Sequence, residues 1–191
     1  MGKCLAIYNF GIHVADYEDP RVEGFRRREP INFEAANRAS GFVGRSGYDG
    51  EPGPASWGKQ VFPRFLAESG RESGPSSLSL WEDIESLMAF SYSGVHAEAL
   101  KGARNWNVPQ RWPPLVLWWV DAGCRPEWTE AVGRFEHLHD NGPSAHAFTF
   151  KQPFGANGEV AVIDRALVRE KVRLNEEGQR ELLAQLQTLG V

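Results

Sequence analysis

From Pro114 to Val120 the chain reads PLVLWWV, and no other stretch limits its fold so tightly. In an extended strand Leu115, Leu117 and Trp119 point one way, and Val116, Trp118 and Val120 the other. Both faces are apolar, so both must be covered. The strand lies inside a longer run, Leu78 to Gly123, which holds most of the tryptophans and is expected to wall any pocket the protein has.

The remaining elements follow from local signals. Residues 3–12, KCLAIYNFGI, are rich in β-formers and predict a first strand, with Leu5, Ile7 and Asn9 on one face and Cys4, Ala6, Tyr8 and Phe10 on the other. Asp19-Pro20 is a helix start, aspartate at the N-cap and proline at the first helical position. That helical region extends to about Ser40, with Pro30 expected to kink or interrupt it. Gly41-Phe42-Val43 begins a second strand, and Leu78–Trp81 makes a third with Leu78 and Leu80 opposite Ser79 and Trp81. Between them, residues 47–77 are rich in Gly, Pro and Ser and read as an irregular excursion. In it, Trp57, Phe62 and Phe65 pack down as a flap or against a second subunit. Glu82, Asp83 and Glu85 place negative charge at a helix N-terminus, and further helices are expected over Val95–Arg104 and Pro126–His139. His146–Lys151 reads as the last strand of the main domain. A short strand at Glu159–Ile163 and a charged helix at about Asn175–Leu189 read as an appended tail.

The order strand, helix, strand, strand, helix, strand is the split βαβ plan, so the fold expected is α+β, a ferredoxin-like antiparallel sheet with helices on one face. Something else must bury the opposite face, and a second copy of the sheet is the economical cover, which predicts a homodimer forming a dimeric α/β barrel. One domain over 1–155, with its insertion at about 47–77, and a C-terminal extension over 156–191 complete the organisation. The supply of 41% hydrophobic and 12% aromatic residues suffices for one sizeable core. A net charge of −4 gives no basic footprint, which argues against nucleic acid as a partner; Arg26-Arg27-Arg28 reads as a solvated helix face. No run of about 18 apolar residues offers a membrane span. MGKCLAIYNF lacks a long apolar core with a cleavage site, and Ala6 breaks the acylation pattern, so a soluble cytoplasmic protein is expected. Cys4 and Cys124 are far apart and read as reduced structural thiols, with neither a disulfide nor a metal role.

Four phrases carry a resemblance: GFVGR at 41–45, LSLWEDIESLMAFSYSGVHAEAL at 78–100, PLVLWWVDAG at 114–123 and AFTFKQPF at 147–154. Together they resemble a bacterial and fungal family catalogued as a domain of unknown function and placed with the antibiotic-biosynthesis-monooxygenase-like dimeric α/β barrels. The resemblance spans roughly residues 4–155. That superfamily includes cofactor-free monooxygenases of aromatic polyketides, haem-degrading enzymes, dehydratases and lactone isomerases, so it implies the fold more firmly than any reaction. Haem-degrading members use an asparagine on the first strand, a tryptophan after the third and a histidine as iron ligand. Asn9 fits the first position, whereas Phe90 and Leu100 fall at the other two and His96 one turn early. Leucine has no lone pair for iron.

If Val95–Arg104 is helical, His96 and Leu100 share a face and Arg104 lies two turns on from His96. His96 is then a candidate general base or acid, and Arg104 a candidate anchor for an enolate, phenolate or carboxylate. The plain alternative is an interior histidine bonded to a backbone carbonyl, with Arg104 paired to a surface carboxylate. For Asn9 two readings stand, an amide satisfying a neighbouring loop or a group in the ligand pocket. Trp81, Phe90, Tyr92, Trp106 and Trp118 would wall a site for a flat apolar compound, or simply fill the core. His137, His139 and Asp140 in EHLHD invite a metal reading, but helical residues two apart point in nearly opposite directions, so no metal site is expected. Absence of GxGxxG, P-loop and GxSxG patterns leaves nucleotide and serine-hydrolase chemistry without support. The leading expectation is a small-molecule enzyme with no tightly bound cofactor, a monooxygenase or isomerase/cyclase acting on an aromatic or polyketide-like compound. A non-catalytic hydrophobic-ligand-binding or stress-response protein is the alternative, and a haem-binding protein the third.

Overall fold

A computed structural model of the chain describes residues 2–189. In order, its elements are β1 (Lys3–Phe10), α1 (Glu23–Asn37), β2 (Phe42–Arg45), α2 (Arg64–Glu68), β3 (Ser76–Trp81), α3 (Ile84–Ser91), α4 (Gly94–Trp106), β4 (Leu115–Asp121), α5 (Trp128–Asn141), α6 (Arg165–Gly178) and α7 (Arg180–Thr188). The described residues form two compact units, each drawn from three stretches: 2–12, 43–82 and 110–163 make the sheet unit, and 13–42, 83–109 and 164–189 the helical unit.

The sheet is four-stranded and open, in the order β2-β3-β1-β4, with β1 antiparallel to both neighbours. This α+β arrangement is consistent with a ferredoxin-like plan. The register pairs Ala6 with Leu80 and Trp118, and Tyr8 with Leu78 and Val116, so these side chains share a face. Leu5 and Ile7 pair with Trp81, Ser79, Trp119 and Leu117 on the other, as strand alternation predicts. Buried side chains lie on both faces, Tyr8, Leu78 and Trp118 on one and Leu5, Ile7 and Leu117 on the other.

Helix α5 covers the Tyr8 face. Trp128 and Phe135 stand edge-on to the Tyr8 ring at 6.2 and 5.4 Å, and the Arg134 guanidinium lies 5.4 Å over Trp118. Phe65 of α2 packs against Phe135 and stacks on Trp112 at 5.1 Å, and Trp57 is buried, so the aromatics of the excursion pack within their own chain. The expected strand over His146–Lys151 shrinks to one bridge, Leu117 with Phe148. Turns close on both sides of it, Ser144 to Ala147 and Thr149 to Gln152, and consume the backbone groups a longer ladder needs. Glu159–Ile163 likewise forms a small turned-back loop, bridged from Phe154 to Val160, with Val162 exposed.

In the helical unit, Asp19 caps a short 3₁₀ turn, Pro20–Val22, that leads into α1. Pro30 sits inside α1 without ending it. Its neighbours explain the tolerance: Ala35 is fully buried and Ile31 packs against the same cluster, so tertiary burial outweighs one lost backbone bond. The basic run is not simply solvated, because Arg28 is buried, lies 5.2 Å over Trp106 and donates to the Gly24 carbonyl at 2.9 Å. Asp83 caps α3, accepting from the Ser86 amide at 2.7 Å and its hydroxyl at 2.6 Å.

The tail is two helices, both integral to this unit. Asp164 caps α6, and one polar face of α6 is buried. Lys171 reaches Asp83 at 3.4 Å, the Asn175 side-chain oxygen accepts from the Ser40 amide at 2.8 Å, and Gln179 spans α1 and α4. Leu182 and Leu186 of α7 then pack with Ala35 and Val95.

Candidate functional site

The sequence-predicted site residues divide between the two units. Asn9, Trp81 and Trp118 belong to the sheet unit, whereas Phe90, Tyr92, His96, Arg104 and Trp106 belong to the helical unit. Asn9 uses its side-chain oxygen to accept from the Ser77 amide at 3.1 Å, tying β1 to β3. Trp118 is fully buried beneath Arg134, and the Trp81 indole N–H donates to the Ser79 hydroxyl at 3.0 Å. These residues have structural work within the sheet.

His96 is different. Its helix begins at Gly94, and the ring folds back toward the preceding turn, as helical side chains do. There Nδ1 lies 2.9 Å from the Ser91 carbonyl oxygen. A carbonyl only accepts, so Nδ1 must carry the proton and Nε2 the lone pair. Burial lowers the pKa below the ordinary histidine value, partly opposed by the Ser91 hydrogen bond, and so favours the neutral ring. The Phe90 ring lies 4.9 Å away and orients the imidazole further. Leu100, one turn further along α4 on the same face, is 45% exposed and sets an apolar group beside the imidazole. Arg104, at the surface eight residues on, lies about 12 Å along the axis by helical rise and about 80° around it. Trp106 is buried against Gly24 and Arg28. Phe90 packs against the α7 cluster as well as His96.

The EHLHD histidines point to different neighbours: His139 packs on Phe65 at 4.8 Å, and His137 on His146 at 4.9 Å. Among the described residues, no group of three or more His, Cys, Asp or Glu could hold a metal ion. Nor is any described helix long and apolar enough to cross a membrane.

Two residues escaped the sequence reading. Tyr8 is completely buried; burial and then the charge of Glu136 push its phenol far above its ordinary pKa, with the neighbouring Ser76 hydroxyl pulling the other way. Gln179 is the other, a polar residue in a charged segment that gives no local sign of burial. Strand alternation places Tyr8 on an apolar face and was the available signal; for Gln179 there was only its spacing from Lys171 and Asn175, four residues apart each time.

Residues 4–164 match the profile of a domain of unknown function, DUF3291. The chain belongs to the DUF3291 family. No curated protein and no solved structure matches it. The DUF3291 region contains β1 through α5 and stops at Asp164, the N-cap of α6, so the two helices that bury Gln179 follow the matched residues.

Proposed function

We propose that this DUF3291 protein is a small-molecule enzyme in which His96 accepts a proton from a flat, hydrophobic compound. One observation carries the reading: Nδ1 is committed to the Ser91 carbonyl, which leaves Nε2 a lone pair on a ring whose burial favours the neutral form. That is the state a general base needs near neutral pH. Leu100 offers an apolar group on the histidine's face for an aromatic or polyketide-like substrate, and Arg104, two turns further along the same helix, is the cation that would draw an anionic group at the substrate's far end. Removing a proton from an activated carbon or a phenol is the step shared by oxygenation, isomerisation and cyclisation without a tightly bound cofactor. The likeness of the sequence to the antibiotic-biosynthesis-monooxygenase-like superfamily favours this set of reactions.

The test pairs His96→Ala with the parent chain on a panel of polycyclic phenols and β-dicarbonyl compounds, following oxygen uptake and product masses. The parent should turn over at least one compound, and His96→Ala should lose at least a hundredfold in rate while keeping its circular dichroism spectrum. Undiminished turnover in the folded variant would overturn the assignment. The same lone pair could ligate iron, so haem binding is the second reading. It predicts a shifted Soret band on haemin addition that His96→Ala abolishes.

A further inference from the structure

Helix α4 begins without help from its own cap residue. The Ser93 side chain makes no capping bond, and its hydroxyl donates instead to the Ala89 carbonyl at 2.5 Å. The first-turn amides of α4 therefore need acceptors from elsewhere. Gln179, at the junction of α6 and α7, supplies one: its Oε1 accepts from the Val95 amide at 3.4 Å, while Nε2 donates to the Ala35 carbonyl of α1 at 3.1 Å. The buried amide thus uses both its ends. Gly94 makes room for it, since a Cβ there would lie 2.7 Å from Oε1 and the backbone φ is +56°.

Val95 directly precedes His96. Its side chain is buried with Ala35, Leu182 and Leu186, and Phe90 packs against the same cluster. Phe90 is also the ring that lies against His96. The first turn of the histidine's helix and the ring beside it are therefore both held by residues 179–186, beyond the matched family region.

We propose that Gln179 is a positioning residue for His96: by capping α4 from the C-terminal helices it keeps the imidazole bonded to the Ser91 carbonyl with its lone pair on Nε2. The proposal rests on the reading of His96 as the proton acceptor. Gln179 touches no substrate and acts only through the first turn of α4.

The experiment uses the full chain with ¹⁵N-labelled histidine and two variants. Gln179→Met keeps the shape of the side chain and removes both hydrogen bonds. Gln179→Glu keeps an acceptor for the Val95 amide, with its negative charge at a helix N-terminus, and gives up the donor to Ala35. The parent should show His96 in a single tautomer, protonated on Nδ1. In Gln179→Met the two tautomers should interchange in comparable amounts, with the titration midpoint moving toward that of an ordinary histidine; Gln179→Glu should restore the parent signature. If Gln179→Met loses stability yet keeps the parent tautomer and titration, Gln179 is only structural and the proposal falls. Should Gln179→Met fail to fold, Gln179→Glu decides alone: the parent signature supports the proposal, and a folded variant without it overturns it. Retained turnover in His96→Ala would defeat the catalytic reading without altering these spectra, so the two failures are distinguishable.

Discussion

Trp106 occupies a slot that only glycine leaves open. A Cβ on Gly24 would lie 2.5 Å from its Nε1, and one on Gly102, a turn earlier on the same helix, 2.5 Å from Cη2. Arg28 lies over the ring, so the indole cannot swing away cheaply. Gly102→Ala gains helix propensity but overpacks this slot, and it should destabilise the protein by about 1–3 kcal/mol in urea unfolding. A gain in stability would show that the ring relaxes freely. Tyr8 makes a pH-dependent case. Its phenol pKa is raised in the folded chain by burial first and the charge of Glu136 second, while the unfolded chain titrates near the ordinary value of about 10. Above that pH the folded state holds a proton the unfolded state has lost, so Tyr8 should contribute a loss of about 1.4 kcal/mol per pH unit. Tyr8→Phe should remove that one-proton slope between pH 10 and 11, measured by urea unfolding at each pH; an unchanged slope would disprove it. At this scale the sequence showed which face Tyr8 occupies, because alternation has a period of two. It could not show that Glu136, far along the chain, would stand within electrostatic reach.

At the scale of elements, local patterning succeeded along the sheet strands and failed where turns take up the backbone groups, over His146–Lys151, and where burial is polar. The strands follow the alternation of Leu5, Ile7, Leu78, Leu80, Leu115 and Leu117, and their register agrees. Helix α6 inverts the rule: Leu174 is 51% exposed while Asn175 beside it is 1% exposed. Its buried stripe runs Lys171, Asn175, Gln179, and only in α7 does it become Leu182 and Leu186. Nothing in residue type marks Lys171 as inward, because its reason is Asp83, eighty-eight positions away. A chain ending at residue 163 loses this stripe. It should expose Ala35 and Val95, bind 8-anilinonaphthalene-1-sulfonate and unfold without a sharp thermal transition. A cooperative transition at the parent temperature would refute the integral role of α6 and α7. The candidate site was legible only in part: spacing identified His96, whereas its tautomer depends on a carbonyl, and backbone geometry is invisible in residue identity.

Across the whole molecule, neither unit is a continuous piece of chain. The sheet needs residues from 3 to 121, and the helical unit begins at residue 13 and includes the C-terminal helices. Contacts of such large sequence separation slow folding, because loop closure precedes the reward. The position of Gln179 adds a matter of timing during synthesis. Residues of α4 leave the ribosome well before position 179 is made, so the turn bearing His96 waits through the translation of β4, α5 and α6 for its cap. At about 5–20 residues per second, the interval between positions 95 and 179 is several seconds. A nascent chain paused in α6 would carry the histidine but not yet hold it, and its imidazole would acquire a settled orientation only once the last helices had emerged.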